Sequence, residues 1–299
     1  MSTSTSTSVA WSRSRAIATM VLVTLLWATA GVVSRQLHSA HGFEVTFWRS
    51  AFTVLALTVA LPWLKGRQVF ANVRHAGWHF WLSGVCWSVM FTAFMLALTM
   101  ASVGNVLVTM SIGPLLTAVL ARIFIGHRLP VRTVVAIAAA GAGIAYMYAS
   151  QIQRISLAGT VIALCVPLAG AINWTVTQHA HSHSHGDDVD LMTAVWVGAV
   201  ISSLLTITFA LPFQATGFDW LWLSFLGLFQ LAIPCVLSVR CAQVLAAPEM
   251  SLLQLMEIIF GILLAWLGAS EVPDHAVLVG GCVVLGALIC NETLAQRLR

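Results

Sequence analysis

The stretch QHAHSHSHGDD, Gln178 to Asp188, alternates four histidines (His179, His181, His183 and His185) and ends in two aspartates. Histidine-rich tracts of this kind bind zinc or nickel, so metal handling is the first chemistry to weigh. Zinc needs about four N, S or O ligands converging at ~2.0–2.3 Å. The apolar runs of the chain hold no His/Asp pair at i, i+4 spacing that could continue such a site into the body. The six cysteines, Cys86, Cys165, Cys235, Cys241, Cys282 and Cys290, lie scattered in those runs without a C-x-x-C pair and read as small packing residues. Two charges do fall within apolar runs, Arg49 and Glu257. The tract is therefore a loop able to bind metal, attached to a body not built to pass one. No metal site and no cofactor is expected. A G-x-x-x-x-G-K-[ST] phosphate loop is absent, and no Ser/His or His-metal constellation suggests an enzyme.

The body explains itself by composition. Of 299 residues, 59% are hydrophobic and 8% charged, against about 25% charged in soluble domains. Lipid is the solvent such a chain requires, and only helices or closed barrels satisfy their own backbone there. Long apolar runs such as Ala16–Val33 and Leu252–Leu267 lack the period-two alternation of barrel strands. The expectation is an all-α membrane protein with ten transmembrane helices, near 16–35, 44–64, 78–100, 104–125, 131–149, 157–178, 190–211, 218–239, 250–269 and 275–293. Residues 1–15 read as a disordered cytoplasmic N-terminus and 294–299 as a cytoplasmic tail. Arg13 and Arg15 ahead of a run ending Ala28-Thr29-Ala30 could also mark a signal peptide, but the run continues to Val33 and is long enough to span. With both termini in the cytoplasm, eleven Lys and Arg residues fall inside and two, Arg35 and Arg154, outside. The net charge of +4 is spread over loops and does not suggest nucleic acid.

SIGPLLTAVLARIFIGHRLPVRTVVAIAAAGAG, from Ser111, and QLMEIIFGILLAWLGASEVPDHAVLVGGCVVLG, from Gln254, align at an offset of 143 residues, Pro130 on Pro273 and Gly143 on Gly286. Five segments followed by five imply two inverted five-helix repeats, 16–150 and 156–293, with a substrate site near the midplane between them. LLWATAGVVSRQLHSAHGFEVTFWRSAF (Leu25–Phe52) resembles the opening of the EamA-type repeat of the drug/metabolite transporter superfamily, with Trp27 and Arg49 at its Trp and Arg positions. ALTMASVGNVLVTMSIGPLLTAVLARIFIGHRLP and LLQLMEIIFGILLAWLGASEVP resemble later segments of the same family. The sequence departs where the family often has an acidic residue after the fourth helix; here stand His127 and Arg128. A finer likeness is to bacterial aromatic amino acid exporters. The resemblance implies a secondary transporter of the bacterial inner membrane exporting small metabolites, amino acids including aromatic ones, by alternating access. Its partners would be the small-molecule substrate and the lipid bilayer, and the protein a monomer or weak homodimer. The alternatives are a divalent metal exporter using the His-rich loop, or a drug or cation efflux carrier.

The candidate substrate-binding residues are Trp27, His79, Asn105, Met110, Ser111, Asn173, Trp174, Gln230, Gln254 and Glu257. Intramembrane polar groups are costly and rare, so the amides and Glu257 are expected at a cavity. Each amide could equally bond one helix to another. Trp27 and Trp174 occupy equivalent helices and would form a stackable wall, with Met110 as filler. Arg49, about five residues into its segment, reads as a snorkelling or structural charge. His79 is a candidate although an interfacial histidine needs no role. Pro114 and Pro167, inside the fourth and sixth segments, are candidate hinges. The small residues of Ala136–Ala145 and Gly280–Ala287 read as close-packing scaffold or an oligomer contact, and not as cavity wall.

Overall fold

Ser12 opens the first helix: its hydroxyl accepts from the Arg15 N–H at 3.3 Å and caps α1 (Arg13–Ser34). The computed structural model that shows this describes residues 11–40, 42–66, 68–71, 73, 76–101, 103–126, 130–149, 157–183, 191–269 and 275–297. Among them there are helices and turns and no strand. The stretch that could have been a signal peptide is a core helix, with Met20, Val23 and Ala30 fully buried. Gly42, at φ 56, turns the chain into α2 (Phe43–Lys65). Then follow α3 (Trp78–Met100), α4 (Val103–Met110), α5 (Gly113–Phe124), α6 (Val131–Ala149), α7 (Leu157–His183) and α8 (Leu191–Ala210). The last five are α9 (Gly217–Gly227), α10 (Ile233–Cys241), α11 (Ala247–Gln254), α12 (Met256–Ala269) and α13 (His275–Arg297).

Seven stretches are long and apolar enough to cross a membrane, the α9–α10 and α11–α12 runs counting as one each. The expected fourth, fifth and tenth segments appear as the shorter apolar helical stretches Gly113–Phe124, Val131–Gly143 and Leu278–Asn291. Three expected segments are interrupted. The fourth breaks at Ser111–Ile112 into α4 and α5. Pro114 therefore sits in the first turn of α5, where a missing N–H costs nothing, and not inside a helix as the sequence suggested. The ninth breaks at Leu255, where i→i+3 bonds, Leu255 N to Leu252 O and Ile258 N to Leu255 O, both 3.1 Å, tighten the backbone. The eighth carries a π-turn over Leu228–Ala232 ahead of Pro234, which cannot donate to the preceding turn. Pro167 does lie inside a helix, α7. The histidine tract is partly helical too: α7 runs on to His183, so His179, His181 and His183 extend the helix, and only His185 lies outside the described residues.

The packing respects an exchange of halves. α2 packs on α8, α5 on α11 and α6 on α13, each pairing equivalent segments. α3 lies on α7 and α8, as α9 and α10 lie on α1 and α2; α1 meets α12 as α7 meets α5. Glycines permit the closest crossings. A Cβ on Gly227 of α9 would stand 2.3 Å from Phe52 Cβ and 2.9 Å from the Arg49 carbonyl on α2. α6 and α13 form a side pair, with Gly143 against the Gly280 carbonyl, as the close-packing expectation has it. The opposite face of α6, including Ala138 and Gly141, instead lines a cleft toward α5 and α7.

Candidate functional site

Arg49, on α2, is a buried charge, 1% exposed. It does not snorkel. Its Nη1 donates to Gln230 Oε1 and its Nη2 to the Phe91 carbonyl, both at 3.3 Å. The guanidinium also lies 6.0 Å and 5.8 Å from the ring centres of Phe91 and Phe94, a cation–π environment. Gln230, carried by the π-turn, spends its amide on the Trp27 carbonyl at 3.3 Å. The irregular turn of the eighth segment thus ties α1 to α2 through one side chain.

Across a small chamber of ≈ 50 Å³ stands Glu257, in the first turn of α12 just past the Leu255 break. Glu257 is 4% exposed, and no hydrogen bond or ion pair to it is found among the described residues. Arg49 and Glu257 line the same chamber, yet the ion pair found among the described residues lies elsewhere, between Arg13 and Glu249. Two opposite charges thus face one void without closing on each other. Trp27, Trp87, Phe91, Phe94 and Trp174 form its aromatic wall. Trp87 and Trp174 meet edge to face, 5.8 Å between centroids at 89°. The Trp174 indole donates to Gln254 Oε1 at 3.2 Å. A second chamber of ≈ 30 Å³ shares Met110, Val166, Gln254 and Glu257, and adds Ser111, Pro114 and Pro167. A water's share of liquid volume is about 30 Å³, so these chambers have room for a few waters.

Both ends of the bundle are fastened. Arg13, Arg15, Lys65, Arg122, Arg132 and Arg240 lie toward one end, called here the basic end. There the Arg13 guanidinium meets Glu249 at 2.7 Å, the Cys241 thiol donates to the Ala16 carbonyl at 3.3 Å, and the Ala247 N–H donates to Gln178 Oε1 at 2.8 Å. At the far end two buried carboxylates reach across reciprocally. Glu44 accepts from the Gln214 and Ala215 N–H groups at 2.9 Å, and Asp219 from those of His38 and Ser39 at 2.8 and 3.3 Å. Beside this clasp a vestibule of ≈ 610 Å³ opens between Arg35–Val45 and Met95–Ala101.

The chamber gathers Trp27, Met110, Trp174, Gln230, Gln254 and Glu257, with Ser111 and both prolines around the adjoining one. Two candidates stand elsewhere. Asn173 is fully buried but accepts from the Ser83 hydroxyl at 2.7 Å, joining α7 to α3. Its amide oxygen serves helix packing, the alternative that side-chain type alone could not separate. His79 lies at the basic end, stacked with Trp78 at 3.8 Å and His179 at 5.4 Å, away from the chamber. The side chain of Asn105 lies outside the described residues. Arg49, Trp87, Phe91, Phe94 and Cys235 also line the chamber, though none stood among the candidate substrate-binding residues. Only Arg49 carried a signal, as one of two charges in apolar runs.

The EamA-like transporter family model matches residues 14–149 and again residues 157–292. No curated protein matches the chain. Solved structures do; one, described only as the crystal structure of a protein, is 17% identical, covers 96% of this chain and 100% of its own, and has a TM-score of 0.76. That likeness is one of fold.

Proposed function

The chain belongs to the EamA-like transporter family, whose repeat it carries twice, and from this premise we propose that it exports zwitterionic amino acids, aromatic ones included, by alternating access. The observation that carries this reading is the unpaired arrangement of Arg49 and Glu257 around one aromatic-walled chamber. A buried charge needs a counter-charge or hydrogen bonds. A substrate with one carboxylate and one ammonium supplies both at once: the carboxylate goes to the Arg49 fork and the ammonium to Glu257. Trp27, Trp87 and Trp174 then pack its side chain, a face-on or edge-on contact for a ring. Gln230 and Gln254 orient the charged ends. The broken helices α4–α5 and α11–α12 put irregular backbone beside the chamber, as discontinuous helices do in inverted-repeat carriers.

In this reading the ten expected segments cross a bacterial inner membrane as two inverted repeats, with the basic end and both termini in the cytoplasm. The distribution of Arg13, Arg15, Lys65, Arg122, Arg132 and Arg240 against Arg35 supports that orientation. The conformation is closed around the centre, since the chamber of ≈ 50 Å³ is far smaller than tryptophan. Substrate enters when the fastening at one end opens, and leaves when the other does. The Ser111–Ile112 and Leu255 breaks and Pro167 are the places to bend. Sparse intramembrane charge favours facilitated export without proton coupling.

Flux into proteoliposomes holding the purified protein tests this, with labelled tryptophan, threonine and zinc, with and without a pH gradient. The expected result is saturable tryptophan flux, insensitive to the gradient and lost in Glu257→Gln. Zinc flux without amino acid flux overturns the reading in favour of a metal exporter.

A further inference from the structure

The largest cavity described, ≈ 740 Å³, is not at the centre but in the cleft between α5, α6 and α7. Its lining is apolar save for three hydroxyls and one charge, Arg122, near the basic end of α5. Arg122 is exposed, and no hydrogen bond or ion pair to it is found among the described residues. Leu115, Val119 and Val134 are 52%, 48% and 48% exposed along the rim, so the cleft opens sideways, toward lipid.

Shape decides what fits. Lining residues on α6 run from Val134 to Ala149, about 22 Å at 1.5 Å per residue. An extended hydrocarbon chain, about 4 Å wide at carbon contact distance, fits along it, with the one charge of the lining, Arg122, at the end where a headgroup sits.

We propose that this cleft is a phospholipid site: one acyl chain lies along α6 and the phosphate rests on Arg122. The guanidinium fork suits phosphate oxygens, and the apolar walls suit the chain. Ile112, Pro114 and Leu255 also line the cleft, so a bound chain touches both helix breaks, where Pro114 and Leu255 also line the chamber beside Glu257. Occupancy stiffens those breaks, and the lipid thereby adjusts how readily they bend. The site goes beyond the transport reading and does not depend on which substrate is carried.

The test is native mass spectrometry of the full chain in detergent, titrated with dioleoyl phosphatidylglycerol and dioleoyl phosphatidylcholine. Wild type retains one phosphatidylglycerol, about fivefold more tightly than phosphatidylcholine, the effect of about one basic residue at an anionic lipid. Arg122→Gln erases that preference. Ala138→Phe, placing a ring in the cleft wall at an exposed position that folding does not need filled, weakens retention of both lipids. Leu204→Phe on the exposed face of α8 changes neither. Wild-type retention of both lipids in Ala138→Phe overturns the site, and a persisting preference in Arg122→Gln overturns the headgroup assignment. A dimer lost in Ala138→Phe with lipid retention unchanged gives the cleft to a second copy, and overturns the proposal as well.

Discussion

At an offset of 143 residues, the spacing between the two matched stretches that begin at 14 and 157, the break at Ile112 falls on the break at Leu255, and Pro114 falls on Glu257. The first break is marked by Gly113-Pro114 and carries no charge. The second has neither glycine nor proline beside it, and carries the chamber's carboxylate. The same offset sets Trp87 on Gln230 and Arg49 on Met192. The first half thus brings a cation and most of the aromatic wall, and the second a carboxylate, two amides and Trp174. Duplication supplied the scaffold twice; chemistry then diverged at equivalent positions. A two-fold frame with an asymmetric lining suits an asymmetric ligand, one with unlike ends.

The sharpest way to break this comparison is to move the cation. Arg49→Met with Met192→Arg places it at the equivalent position of the other half. Were the halves interchangeable, flux would survive. The expected result is the same loss as Arg49→Gln alone, at least about 100-fold, because a buried substrate carboxylate left without its cation costs about 3 kcal/mol or more. Arg49→Lys does not restore flux, since an ammonium cannot reach both Gln230 and the Phe91 carbonyl with the same fork. Proteoliposome uptake of labelled tryptophan checks all three.

A second contrast concerns Gly227 and Gly84, which also stand at equivalent positions. A Cβ on Gly227 meets backbone and Cβ of α2, whereas one on Gly84 meets the tip of Val197 at 3.0 Å. Gly227→Ala must push α2 away and carries Arg49 with it. It is expected to lower stability by about 1–3 kcal/mol and to reduce flux, with Gly84→Ala milder in both. Thermal unfolding in detergent compares them; equal losses would remove the distinction.

The tryptophans give a smaller effect. Trp27→Ala and Trp174→Ala raise the KM for tryptophan about tenfold, the loss of about 1.5 kcal/mol of ring packing, and that for threonine less. Trp266→Ala, at an exposed site, leaves both unchanged. The smallest effect belongs to the basic-end fastening. Glu249→Gln removes a partly exposed ion pair worth about 0.2–1 kcal/mol. Maleimide labelling of the buried Cys241 should speed up about two- to fivefold; an unchanged rate would show that the pair does not hold this end closed.

Much of the fold was legible because lipid imposes a simple rule: apolar runs of spanning length, bounded by basic residues. The breaks were less so. Pro114 announced one, though its place at a helix start needed the structure. The Leu255 break reads as plain apolar helix, and only the repeat offset points to it. Of the two readings of Arg49, snorkelling fell and a buried, hydrogen-bonded charge stands, because depth along a segment says nothing about which face a side chain takes. The face follows from how α2 meets α3 and α9, a long-range fact. Asn173 stands away from the chamber for the complementary reason, since an amide in an apolar run bonds a neighbouring helix, here Ser83 on α3, as well as a ligand. The His179–His183 stretch looked like a loop by composition, yet a helix packed on α3 continues through it.

The most direct test of the paired-charge account is equilibrium binding of labelled tryptophan to the purified protein, in competition with tryptamine and indole-3-propionate, which each lack one charged end. The account predicts that wild type prefers tryptophan over both analogues by at least about tenfold, one charge-assisted hydrogen bond each. In Glu257→Gln the preference over indole-3-propionate should vanish while that over tryptamine persists, and Arg49→Gln should do the reverse. Wild-type binding that ignores either charged end, or variants that leave both preferences intact, would contradict it.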